Sequence, residues 1–516
     1  MRHSRRNLLV ASLLLAIVAV VFLSLGIRAA PHVRNQVVAS VNERFQAGLS
    51  LDAFQVSVFP RPEVTGAGLA VSWHNRSDVP PLIRIGSFGA SAGVFGLIGT
   101  PVRLRTVQLD RLEIHIPPGG IKGVRASRPA PDREREHSPV RLTIHEIIAS
   151  AAQLQIASKD PAKLPRVFDI HDLHIFEYGQ KDGASFRASL TNPKPQGHIA
   201  TTGVFGPWNS EEPRTTPVRG KYTFTNADMN TIKGLDGTLS SHGEYTGVLE
   251  RIAVTGETDT PDFSIDIAGQ PVPLKTTFKA IVDGTNGNTY LEEVDARLID
   301  SHILAKGSVV RTKDVKGRHV ALDIVIDQAR IEDLLKLAIK GAKTPLTGAV
   351  KVKTTFNLPA GELDVIQRLR LAGEFALDKA RFTNFNVQKR INLLSQKGRA
   401  DDSPDEAESV VSALRGRFEL KNAMLSFPSL TFAVPGAIVQ LAGTCHLANE
   451  SLDFTGQLLL DASLSETTSG MKAVLATMAQ PLFQRKGGGS RIPIKIGGTW
   501  TKPSFGLDVK RVFGRE

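Results

Sequence analysis

Cysteine is almost absent from this chain. Cys445 stands alone among 516 residues, which excludes an internal disulfide. An exported body would therefore be held together by burial and backbone pairing alone. Tyrosine and methionine are scarce too, and no basic face interleaved with aromatics occurs. The net charge of +12 is scattered singly between apolar residues. That pattern argues against nucleic acid as a partner and fits a solvated basic face or one resting near anionic lipid.

Reactive motifs are missing as well. No G-x-x-x-x-G-K-[ST] or H-E-x-x-H occurs; His145-Glu146 begins the last, but Ala149 stands where the second histidine belongs. His171 and His174 are three apart and diverge on a strand, as do the neighbours Cys445 and His446. The Gly487–Gly489 run precedes a strand pattern, not a helix that could cradle phosphate. No catalytic residue, metal or cofactor is expected. Helical stripes are few: Gln36–Phe45, Ile331–Lys340 with Gly341 as its stop, and Met471–Phe483.

Only one long apolar run exists, and it opens the chain. Leu8–Ile27 carries no charge over twenty residues, roughly 30 Å of helix, about one bilayer core. Leu8, Leu13, Leu14, Leu15, Ile17, Val20, Phe22 and Leu25 would face lipid in a single-pass anchor. Arg2, Arg5 and Arg6 would keep the N-terminus cytoplasmic and send the body across the inner membrane. The run is longer than the apolar core of a cleaved signal peptide.

From residue 49 onward, apolar and polar residues alternate again and again. Leu112, Ile114 and Ile116 alternate with Arg111, Glu113 and His115; Phe263, Ile265 and Ile267 with Asp262, Ser264 and Asp266. Period two of this kind predicts antiparallel strands with one apolar and one wet face. The predicted fold is mainly β, an N-terminal transmembrane helix followed by an elongated antiparallel sheet with a few short helices.

The expected divisions are a basic tail and anchor (1–30), a β module (31–117), a Pro- and charge-rich linker (118–139), a central β region (140–330) and a C-terminal β domain (331–516) with a polar loop near 398–409. A loose repeat runs through GKYTFTNA (220–227), GEFALDKA (373–380) and GRFELKNA (416–423), read as a turn glycine feeding a strand.

Several segments carry a family resemblance in their order more than in any single motif. LDAFQVSVFP (51–60) is followed by GLAV (68–71), LIRIGSF (82–88) and VQLDRLEIHIP (107–117). IEDLL (331–335), PLTG (345–348), LPAG (358–361), LAGEF (371–375) and ARFT (380–383) come in the centre. VPG (434–436), LAG (441–443), IPIKIGGT (492–499) and PSF (503–505) close the chain. This succession resembles the AsmA-like family, related in architecture to chorein-type bridge-like lipid transporters.

The resemblance implies a curled, open, taco-like groove in the periplasm that carries phospholipid and serves outer-membrane biogenesis. A non-transporting assembly scaffold is the other reading. Phe263, Ile265, Phe418, Leu420, Val439 and Leu441 are the candidate groove residues. The expected partners are acyl chains, the inner membrane and an outer-membrane or periplasmic protein that the resemblance does not identify.

Overall fold

The computed structural model describes residues 47–57, 62–73, 80–93, 102–116, 142–156, 165–207, 212–266, 270–312, 315–337, 344, 346–383, 392, 412–447, 449, 451–460, 490–499 and 502–507. The expected anchor, both expected linkers, and the stripes at 36–45 and 471–483 lie outside the described residues. Among the described residues no helix is long and apolar enough to cross a membrane. The fold is mainly β, with twenty-five strands among the described residues, and the chain divides into two compact units.

The first unit comprises Met1–Ile232, Thr238–Thr258 and Ala280–Gly287. It begins with β1 (Ala47–Ser50), β2 (Ala53–Ser57), β3 (Glu63–Trp73), β4 (Ile83–Ala92) and β5 (Val102–Ile116). β1 and β2 pair with opposite ends of β3, Leu49 facing Val71 and Ala53 facing Ala67, as two halves of one bent edge. Gly68 sits beside the bend at φ +65°, where a Cβ would collide with the Asp52 carboxylate.

β6 (Leu142–Ile156) then pairs with β5 in parallel, Val107 beside Ile147. This corrects the expectation of a purely antiparallel sheet. A parallel pair needs a crossover of a dozen residues or more, and the stretch between Ile116 and Leu142 is long enough to supply it. β7 (Arg166–Tyr178), β8 (Ala184–Pro193), β9 (Gln196–Phe205), β10 (Pro217–Asp228) and β12 (Thr238–Val248) continue as an antiparallel meander. The core lies on β1 to β6, where Val71, Ile83, Ile85 and Ile144 are almost fully buried. Along β10 and β12 the apolar positions other than buried Ala227 are only half-buried and alternate with exposed ones.

The second unit comprises Lys233–Gly237, Asp259–Lys279 and Asn288–Glu516. β13 (Arg251–Ile265) ends in it, and its Ile265 faces Leu235 of β11 (Leu235–Asp236). β14 (Val272–Val282) begins in it. An unbroken antiparallel meander follows: β15 (Thr289–Leu298), β16 (Ser301–Arg311), β17 (Arg318–Arg330), β18 (Leu346–Leu358), β19 (Arg370–Phe382), β20 (Ser412–Lys421), β21 (Met424–Val434), β22 (Ala437–His446), β23 (Leu452–Leu460), β24 (Ser490–Gly498) and β25 (Pro503–Leu507).

Helix α1 (Ile331–Lys336) packs Ile331 and Leu334 over a small core containing Val350 and Leu377. Its predicted span reached Lys340, but residues 338–340 lie outside the described set. Buried Asp333 accepts from the Ser301 hydroxyl at 2.8 Å, and that oxygen accepts from the Arg330 amide at 3.0 Å. Helix α2 (Val365–Arg368) is a single turn between β18 and β19.

The repeat has a different meaning from the one its sequence suggested. Gly220, Gly373 and Gly416 are not turn residues; each lies within a strand. The seventh position bends the chain instead: Asn226, Lys379 and Asn422 all take φ of 53–55°. In the first two copies this is a bulge that seats Ala227 and Ala380 in the interior. In the third, Asn422 and Ala423 form the two-residue turn between β20 and β21.

Candidate functional site: a half-buried apolar sheet face

In a strand every second residue shares a face, so register decides which apolar residues meet. In the second unit the registers line up three apolar rows. One runs Leu322, Phe356, Leu371, Leu420, Leu425, Cys445, Leu452 from β17 to β23. The next runs Val352, Phe375, Gly416, Leu430, Leu441, Gly456, Ile494 from β18 to β24. The third runs Val350, Leu377, Leu414, Phe432, Val439, Leu458, Ile492 over the same strands. Seven strands at ~4.8 Å spacing give each row roughly 29 Å. None of the three contains a charged or amide side chain.

The rows are not equally covered. Val350, Leu377 and Ile492 are buried, the first two beneath α1. The middle row is different: Val352, Phe375, Leu430, Leu441 and Ile494 are all half-buried. A ladder of rings crosses it, with Phe375 6.3 Å from Phe418 and 6.4 Å from Phe427, and Phe427 5.8 Å from Phe454. Of the predicted groove residues, Phe418, Leu420, Val439 and Leu441 belong to this face. Phe263 and Ile265 sit apart from these rows at the end of β13, half-buried on either side of buried Ser264. The ring ladder itself was missed, because its members are spread over four strands and only register brings them together.

Glycines opposite the rings explain how the face stays smooth. Gly416 faces Phe375 and Gly443 faces Phe454, and a Cβ would come within 3.2 and 2.7 Å of the respective rings. The first unit repeats the device. Gly66 faces Phe88, Gly203 faces Phe186, and β10 and β12 exchange a reciprocal pair, Gly220 with Tyr245 and Tyr222 with Gly243. A ring laid across a glycine covers backbone that the missing side chain leaves bare.

Those tyrosines form a polar island. Tyr245 bonds Thr201 at 2.8 Å, and Thr201 donates to the Lys221 carbonyl. Tyr222 bonds Ser241 at 3.1 Å, and Ser241 donates to the Glu257 carbonyl. Burial raises the pKa of Tyr178, Tyr222 and Tyr245, and the hydroxyl partners of the last two only partly offset it.

The histidines single out no shared centre. His171 bonds Thr191 at 2.8 Å, whereas His174 lies between Glu146 and Asp172, 3.0 Å from each. Among the described residues no group of three or more metal-ligating side chains gathers. Cys445 is buried in the first apolar row. No family model, curated protein or solved structure matches this chain.

Proposed function

We propose that the chain is an inner-membrane-anchored periplasmic protein whose half-buried apolar sheet face holds the acyl chains of phospholipid, and that it serves phospholipid transport and outer-membrane biogenesis. The observation that carries this reading is the half-buried, uncharged middle row from Val352 to Ile494. Each methylene removed from water on such a face is worth roughly 0.8 kcal/mol, so an acyl chain is a suitable cover. Apolar continuity is all the task asks of the lining, and no catalytic step enters it. The resemblance to AsmA-like proteins supports the same assignment.

The scaffold reading draws on the first unit, where β1 to β6 bury their apolar face against their own side chains. Native mass spectrometry with lipid extraction on the full-length chain separates the two. Phospholipid that survives washing in the wild type and is lost in Leu441→Asp, with the folded signal retained, supports the groove. Equal lipid in both proteins, or none in either, leaves the scaffold.

A further inference from the structure

Alternate turns of an antiparallel meander fall on the same end of the sheet, roughly 10 Å apart. In the second unit the β16–β17, β18–β19 and β20–β21 connections share one rim. Each displays an exposed aliphatic side chain: Val315 (42% exposed), Leu363 (65%) and Met424 (38%). They make up half of the six large apolar residues most exposed among the described residues. Water-facing aliphatics on three consecutive turns of one rim form a row, and such a row marks an interaction surface.

The first two turns are fixed to each other and to the chain beneath. Lys316 pairs with Glu362 at 3.0 Å, and Lys233 pairs with Asp364. Arg368 holds the second loop from inside, donating to the carbonyls of Leu363 and Pro359. Leu363 is thus presented on a braced loop. Exposed cations flank the row: Arg311, Arg370 and Lys421 stand at these strand ends, while Lys316, Arg318 and Arg368 are engaged with Glu362 and with backbone carbonyls. The acids beside Leu363, Glu362 and Asp364, are both already paired.

We propose that this rim docks on an anionic lipid bilayer, the three aliphatics entering the interface while the cations meet lipid phosphates. Charge and composition choose the occupant. Protein hot spots favour Trp, Tyr and Arg in a desolvated centre. Here single aliphatic tips project among lysines and arginines, as in surface-seeking membrane segments.

The test uses the full-length chain held in amphipol, with a polarity-sensitive fluorophore on Leu363→Cys in a Cys445→Ala background. The vesicles contain one part phosphatidylglycerol to two parts phosphatidylcholine. The expected result is a blue-shifted, brighter emission with these vesicles and none with phosphatidylcholine alone. The same label on Ile438→Cys, exposed at the β21–β22 turn on the other rim, should not respond.

Arg370→Gln and Lys421→Gln should each weaken vesicle binding about fivefold, and together roughly 25-fold. No response at Leu363, or an equal response at Ile438, overturns the proposal. A response to a soluble protein fraction in place of vesicles overturns it in favour of a protein partner. Lipid held on the sheet face would not respond to Arg370→Gln or Lys421→Gln, so this outcome and that of the Leu441→Asp comparison are independent.

Discussion

At the residue scale the strand glycines matter because something else occupies the space of their side chains. A Cβ on Gly416 would approach the Ser429 carbonyl at 2.6 Å as well as the Phe375 ring. Gly416→Ala should therefore cost about 1–3 kcal/mol, the usual range for forcing atoms into a packed site, read as a lowered denaturant midpoint. The tyrosines give a pH signature. Their folded pKa values are raised, so the associated stability is fully present below the unfolded phenol value. It is lost as pH rises through the folded values. Phenolate absorbance should lag behind free tyrosine on alkaline titration and jump when the chain unfolds.

Glu332 works in the other direction. Its burial pushes the pKa up, but its own backbone amide, the Gly348 amide and Arg330 outweigh that and hold it below the ordinary value. The stability it contributes is present above the unfolded carboxyl pKa and lost as pH falls through the folded one. Glu332→Gln should flatten the acid limb of the stability curve in that window while leaving the alkaline limb alone.

At the element scale the bulges do the bending. Lys379 holds a left-handed conformation that costs an L-residue about 1–2 kcal/mol. Lys379→Gly should leave stability unchanged or raise it despite the added chain freedom. Lys379→Val should lower it, because a β-branched side chain fits that region worst; thermal melts of the two variants decide. The repeat's eight-residue pattern was legible in the sequence, yet its purpose was not. A bulge is defined by the partner strand that it fails to match. Likewise the Pro-rich stretch after Ile116 read as a linker, while the parallel pairing of β5 with β6 depends on where the chain returns.

At the scale of the whole molecule, burial is uneven. β3 to β6 carry nearly all of the first unit's fully buried aliphatics, whereas the inward positions of β10 and β12 other than Ala227 and Ser241 are half-buried. Amide hydrogen exchange should therefore be slowest in β3 to β6 and faster in β10 and β12, since local opening follows buried apolar contact. Equal protection throughout would mean that the exposed-looking strands are covered in solution. Bound lipid would slow exchange selectively along the middle row of the second unit, most at Leu430 and Leu441.

The sequence by itself determined the strand class and, between bulges, which neighbours share a face, because side-chain period is a local property that alternation writes directly. It also determined the absence of a disulfide, since one cysteine cannot pair within the chain. Tertiary structure decided what the alternation could not. Register placed Phe375, Phe418, Phe427 and Phe454 in one ladder and set glycines beneath rings. It also left Phe263 and Ile265 apart from the rows that hold Leu420, Val439 and Leu441. Those outcomes depend on which strand lies beside which, and a pattern that repeats every two residues is the same for any neighbour.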